Sequence, residues 1–199
     1  DDVLAIEKDL SLALTRALDI DVTGEAASQL ARRYEIDPEA YQLYLRGRQL
    51  MVGSSREMDK AMDYLTQATE IDPDFALAHA ELGRAYVLRA YHSVMDRETA
   101  LASAREAVQK ALAIDGQLAE AHAVSAEIKY LFDWDWEGAE SAFRNGQRLS
   151  RSVSGFPAGS TGEVEFANFL TAMGRSAEAI EMAGKAVGID PHSPVPLNE

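Results

Sequence analysis

The sequence contains no cysteine, so a disulfide framework, a cysteine nucleophile and a thiolate metal site are all unavailable. It has no apolar run of membrane-spanning length, and no signal-peptide pattern opens it. Bases are few, 19 Lys and Arg against 33 Asp and Glu, which gives a formal charge of −14. That balance speaks against nucleic acid and against an anionic membrane surface as partners; its plainest consequence is solubility. Histidine is confined to His79, His92, His122 and His192, and none of them stands in His-Glu-x-x-His or His-x₃-His spacing. Asp133-x-Asp135 lacks the rest of a calcium loop, and no lysine follows the Gly-Ser-Thr-Gly run at 159–162 as a phosphate loop requires. Carboxylate pairs such as Asp133 with Asp135 and Glu163 with Glu165 arise by chance among 33 acids. Acid–base catalysis needs its pair across a cleft, with separated pKa values. No catalytic residue, cofactor or metal is expected.

What is present is enough for a core: 47% of residues are hydrophobic and only 26% charged. Those residues recur with a period. Ile-Asp-Pro stands at 36–38, 71–73 and 189–191, and Ile-Asp-Gly at 114–116. Ala68, Ala111 and Ala186 each precede the isoleucine by three positions. Residues 76–86 and 119–129 follow at matching distances, with His79 and His122 in the same place, where core packing is expected over a metal pair. Gly47 and Gly83 fall inside helical segments, where glycine costs about 1 kcal/mol relative to alanine, so close approach of a partner helix is their expected compensation. The prolines at 73 and 191 end second helices by removing a donor, whereas Ile36-Asp-Pro38 follows no such helix and is partly coincidence; Asp37, Asp72, Asp115 and Asp190 sit where the chain turns.

This pattern resembles the tetratricopeptide repeat, a 34-residue unit of two antiparallel helices. Gly83, Tyr86, Ala104, Val108 and Ala111 meet it in one unit; Gly47, Ala61, Leu65, Ala68 and Pro73 meet it in the unit before. Ala139 and Phe143 serve a third unit, and Ala167, Ala179, Ala186 and Pro191 a fourth. The resemblance implies an all-α, right-handed superhelical solenoid of helical hairpins over residues 38–199, with units at 38–73, 74–116, 117–151 and 160–193. Departures are expected at Arg89–Arg97, which stretches the second unit, at Asp133-Trp-Asp-Trp136, where one tryptophan staples the turn, and at the breaker-rich Ser154–Gly162.

Residues 1–37 read as a separate helical segment. Val3, Ile6, Leu10, Ala13, Leu14, Ala17 and Leu18 recur at helical spacing, and Thr23 can cap a second, shorter helix. Asp2–Leu10 resembles the closing helix of the TolB-like domain of bacterial signalling proteins. In that family a segment like Glu39–Arg48 and then tetratricopeptide repeats follow. Such arrays accompany class III nucleotide cyclases, winged-helix regulators or serine/threonine kinases. Together with a first residue that is not Met, this reads as part of a larger, cytoplasmic protein.

In such repeats the first helix of each unit lines a concave groove. The resemblance places Tyr41, Tyr44, Arg48, Leu77, Arg84, Glu120, Glu127, Tyr130 and Asn168 on it. Ala80 and Arg84 stand where a carboxylate-gripping Lys and Asn would be, so that specificity is not implied. The expected function is an interaction scaffold in a signalling protein, binding a protein or peptide segment or the parent chain's other domains. An all-helical enzyme with a hidden site and a structural spacer are the alternatives. The last helix carries Ile180, Met182, Ala183 and Val187, a stripe that suggests weak homodimerisation through the C-terminal edge.

Overall fold

A computed structural model describes residues 36–51, 53–152 and 161–189. The N-terminal helices expected before residue 36, most of the Ser154–Gly162 join and the tail after residue 189 lie outside the described residues. Among the described residues there are eight α-helices and no strand. They pair as four hairpins: α1 (Pro38–Leu50) with α2 (Ser55–Ile71), α3 (Ala76–Tyr91) with α4 (Arg97–Ile114), α5 (Ala119–Ile128) with α6 (Trp136–Ser152), and α7 (Thr161–Ala172) with α8 (Ser176–Ile189). The fold class is the helical repeat array expected from the period. The chain divides into two compact units, residues 1–75 and 76–199.

In the N-terminal unit, Asp37 starts α1. Its carboxylate accepts from the Glu39 and Ala40 amides at 2.8 and 3.2 Å, while Pro38 occupies the first turn, where no donor is needed. The first Ile-Asp-Pro is therefore a helix start. The second is a helix end, and the two are joined: Asp72, at the end of α2, accepts from the Asp37 amide at 3.1 Å. Ser54 and Glu57 form a capping box at the start of α2. A Cβ on Gly47 would stand 2.8 Å from Leu65 and 3.2 Å from the Ala61 carbonyl, so α1 and α2 touch through this residue.

The C-terminal unit stacks three hairpins, with α5 beside both α3 and α7. Small residues let these helices close up. A Cβ on Gly83 would stand 3.0 Å from Val108 of α4, and one on Gly146 would stand 3.2 Å from the Ala119 carbonyl of α5. Between the first two hairpins the core is aliphatic, built from Val87, Ala104, Val108, Val124 and Ile128, with a patch of Ala80, Ala111 and Ala121. Between the last two it is aromatic: Phe143, Phe166 and Phe169 stack at 5.0–6.1 Å beside Leu170 and Met182. Arg175 secures the start of α8 by bonding Glu140 of α6 at 2.8 Å and Glu178 at 2.6 Å.

The three hairpin turns of this unit share one device, a left-handed residue. Ser93 has φ +55°, Trp134 has φ +56° and Gly174 has φ +73°. After Ser93 and Gly174 the next amide returns to the helix, Val94 to Arg89 O at 3.1 Å and Arg175 to Leu170 O at 2.9 Å. At Trp134 the helix first widens into a π-helical turn, Lys129–Asp133, and the Asp135 amide reaches Lys129 O at 3.1 Å.

Candidate functional site

The first helices of the hairpins were expected to present nine partner residues, and the structure sorts them. In the N-terminal unit Tyr41 and Tyr44 are buried, their rings packed on each other and on Phe75 at 5.0–6.3 Å; Arg48 is half-buried, its guanidinium 5.7 Å from the Tyr44 ring. In the C-terminal unit Leu77, Arg84 and Glu127 are buried, Glu120 and Tyr130 half-buried, and Asn168 exposed. Tyr41, Tyr44, Leu77, Arg84 and Glu127 are thus corrected from open surface to interior. At each of these positions the side chain lies against helices or rings that spacing along one helix does not reveal.

Arg84 and Glu127 are the most consequential of them. They lie 43 residues apart, the spacing that also relates His79 to His122, so they hold equivalent places on adjacent first helices. Arg84 Nη1 bonds Glu127 Oε1 at 2.8 Å, with the two side chains only 8% and 4% exposed. Arg84 Nε lies 3.6 Å from Glu81 and makes no hydrogen bond. Burial opposes the charge on Arg84, but Glu127, Glu81, Glu165 and Glu120 outweigh it and raise its pKa. Glu127 is pushed up to about 7, because burial and the nearby Glu165 and Glu81 outweigh its single arginine. One guanidinium is shared among several carboxylates, so it cannot hold Glu127 down. The result is a cluster of carboxylates, Glu81, Glu120, Glu127 and Glu165, around the buried Arg84.

Around that pair the accessible groups are Glu120, Glu165, Asn168, whose amide donates to Glu165 at 3.4 Å, and Tyr130. Burial raises the Tyr130 pKa, with Tyr91 and Glu165 adding to the effect. Glu81 and Glu165 were not among the expected groove residues. Glu165 stood out in the sequence only as part of a carboxylate pair, a signal too common in an acidic chain to single it out.

The described histidines have separate surroundings. His79 is buried on α3, while the His122 ring sits 3.0 Å from the Gly116 carbonyl and beside the Asn145 amide. Among the described residues no group of three or more His, Asp or Glu side chains could hold a metal ion. No described helix is long and apolar enough to cross a membrane. A cleft of about 350 Å³ runs among α6, α7 and α8 over Phe166 and Leu170. Much of its charged rim is paired, Arg144 with Glu140 and Lys185 with Glu181, both at 2.6 Å, while Arg148 donates to Asn145. At the C-terminal edge Ile180 is 73% exposed, but Met182 is buried in the phenylalanine core and Ala183 packs beside it. The expected apolar stripe on α8 is therefore reduced, because one of its large members faces inward; the Val187 side chain lies outside the described residues.

Comparison with known proteins agrees with this architecture. The tetratricopeptide repeat family matches over residues 53–75, which take in α2. A thermophilic TPR protein from Thermus thermophilus has a similar structure, with a TM-score of 0.60 at 19% identity, covering 96% of this chain and 93% of that one. At that identity the likeness establishes the fold. A protein of Rhizobium meliloti (strain 1021) named "Putative adenylate cyclase 3" is 31% identical over 83 residues, 41% of this chain. The match takes in 14% of that relative's length.

Proposed function

We propose that the chain is a protein-interaction scaffold that takes a segment of another polypeptide on the first-helix face of its C-terminal unit. The observation that carries this reading is the side-by-side placement of α3, α5 and α7, whose accessible polar groups include Glu120, Tyr130, Glu165 and Asn168. Stacked hairpins hold such a row rigidly, so an extended segment can meet it without ordering the receptor first. The face offers carboxylates, an amide and a phenol, which suits recognition by hydrogen bonds and charge better than a chemical step. In this reading the chain is not itself an enzyme.

The likeness to part of a protein named as an adenylate cyclase supports a wider reading. The array serves as a sensory or regulatory module of a larger bacterial signalling protein in the cytoplasm. The Asp2–Leu10 segment closes a TolB-like domain ahead of it, and docking of the parent's other domains is one use of the same face. Selection of a displayed random-peptide library on the whole chain tests the site. Selected peptides should lose about tenfold in affinity, roughly 1.4 kcal/mol, on Glu120→Lys and on Tyr130→Ala. Binding that survives both exchanges would place the interaction elsewhere.

A further inference from the structure

At the turn between α5 and α6 the fold holds a tryptophan where it has no need of one. Trp134 is 69% exposed and left-handed, at φ +56° and ψ 23°. That conformation strains any residue with a Cβ and suits glycine, which the next hairpin supplies at Gly174. Stapling of the turn falls to Trp136, which packs on Tyr130 at 5.6 Å and on Phe169 at 6.5 Å. The Trp134 ring touches Trp136 edge-on at 5.6 Å and otherwise faces water.

The neighbouring turn continues the same surface. Phe132 packs against Ala90, Ala100 and Leu101, which joins the α5–α6 turn to the α3–α4 turn. There Tyr91, Val94 and Met95 are all exposed. Exposed apolar side chains gathered along one edge mark an interaction surface more often than scattered ones do.

Charge identifies what this edge would take. Asp96, Glu98, Asp133, Asp135 and Glu137 border the two turns, against Arg97, Lys129 and Arg105. Arg105 is committed to Asp133 at 2.5 Å, and Lys129 lies 3.9 Å from Asp135. Asp96 and Asp135 accept from the Thr99 and Gly138 amides, so Glu98 and Glu137 are the exposed carboxylates that make the border acidic. Arg97 already lies over the Phe132 ring at 6.0 Å, so the edge itself contains the pairing of a guanidinium with an aromatic face. Indole offers the strongest such face among the side chains, and here it stands open within an acidic border.

We propose that the turn edge centred on Trp134 is a docking surface for an arginine- or lysine-bearing segment of a protein partner. The cation lies on the indole, its stem covers Tyr91 and Val94, and its charge is met by the exposed carboxylates of the border, Glu98 and Glu137. This surface abuts the first-helix face at Tyr130, through Trp136, but does not depend on that reading.

Two measurements on the whole chain test it. Trp134→Gly should leave the melting temperature unchanged or raise it by about 2–4 °C, because it relieves the left-handed strain. A fall instead would make Trp134 a structural staple and overturn the proposal. Short glycine–serine peptides carrying arginine, lysine, glutamate or no charge are then titrated at physiological ionic strength, followed by tryptophan emission and peptide anisotropy. Arginine and lysine peptides should perturb the emission and bind at least about tenfold tighter than the uncharged peptide. Trp134→Leu, which keeps the charge and most of the apolar surface, should remove that advantage. Equal binding by Trp134→Leu would mean general attraction to an acidic chain, and equal binding of the uncharged peptide would mean an apolar partner; either result overturns the proposal.

Discussion

The two junctions of the C-terminal unit solve one problem with different chemistry. Between its first and second hairpins, α3 meets α5 through alanines, valines and the buried Arg84–Glu127 pair. Between its second and third, the contact is a stack of Phe143, Phe166 and Phe169. The aromatic junction gains from area removed from water, about 25 cal/mol per Å². The charged junction gains little net from its ion pair, because desolvating both groups offsets their attraction. What the pair supplies is order: equivalent positions carry opposite charges, so each hairpin suits the other better than a second copy of itself. The lesson is that a repeat's packing site can be apolar for strength or charged for register.

The largest effects should come from breaking each junction singly. Phe166→Ala should cost about 3–5 kcal/mol in chemical denaturation, because the ring is almost fully buried. Arg84→Ala should cost about as much, for the different reason that Glu127 is left buried without a cation.

The double exchange Arg84→Met with Glu127→Leu sharpens the contrast. It should recover most of that loss, or exceed wild-type stability by about 1–4 kcal/mol, since a packed apolar pair replaces two desolvated charges. No replacement of Phe166 by a smaller apolar residue should do the same. If the double variant is as unstable as Arg84→Ala, the pair is a net stabiliser and the contrast fails.

The smallest effect is in pH. The folded pKa of Glu127 lies above the ordinary carboxylate range, so its folded state holds a proton that the unfolded chain releases. Its contribution is therefore fully present below the ordinary carboxylate range and is lost as pH rises through about 7. Glu57, Asp96, Glu140 and Glu178, held down by hydrogen bonds, act oppositely, and their contribution is lost as pH falls below the ordinary range. Melting temperature should thus peak in mildly acidic buffer. Glu127→Gln should flatten the fall on the neutral side and leave the acid side alone. An unchanged neutral side would assign that slope to another group.

Much of the fold was legible because its signals are local. Gly47 and Gly83 announce close approach by their cost in a helix interior, and the Ile-Asp-Pro period announces the hairpins. The helix starts at Asp37-Pro38 and at Ser54 with Glu57 were not read, although their bonds span only three residues. The site was less legible. Position along one helix placed Arg84 and Glu127 on a shared face, but not under a neighbouring hairpin, so burial reversed their expected role. Trp134 and Trp136 are two positions apart and alike in sequence, yet one is packed and the other open.

By itself the sequence determined the all-helical repeat, its hairpin spacing and its acidity, because period, caps and charge are written residue by residue. Only the tertiary structure decided which polar groups face water, since burial depends on what the next hairpin lays over each helix. The same dependence sets the charge state of Glu127, whose charged neighbours come from two other helices, α3 and α7. It also decided that Trp134, the left-handed residue that closes the π-helical turn, stands open while Trp136 is packed.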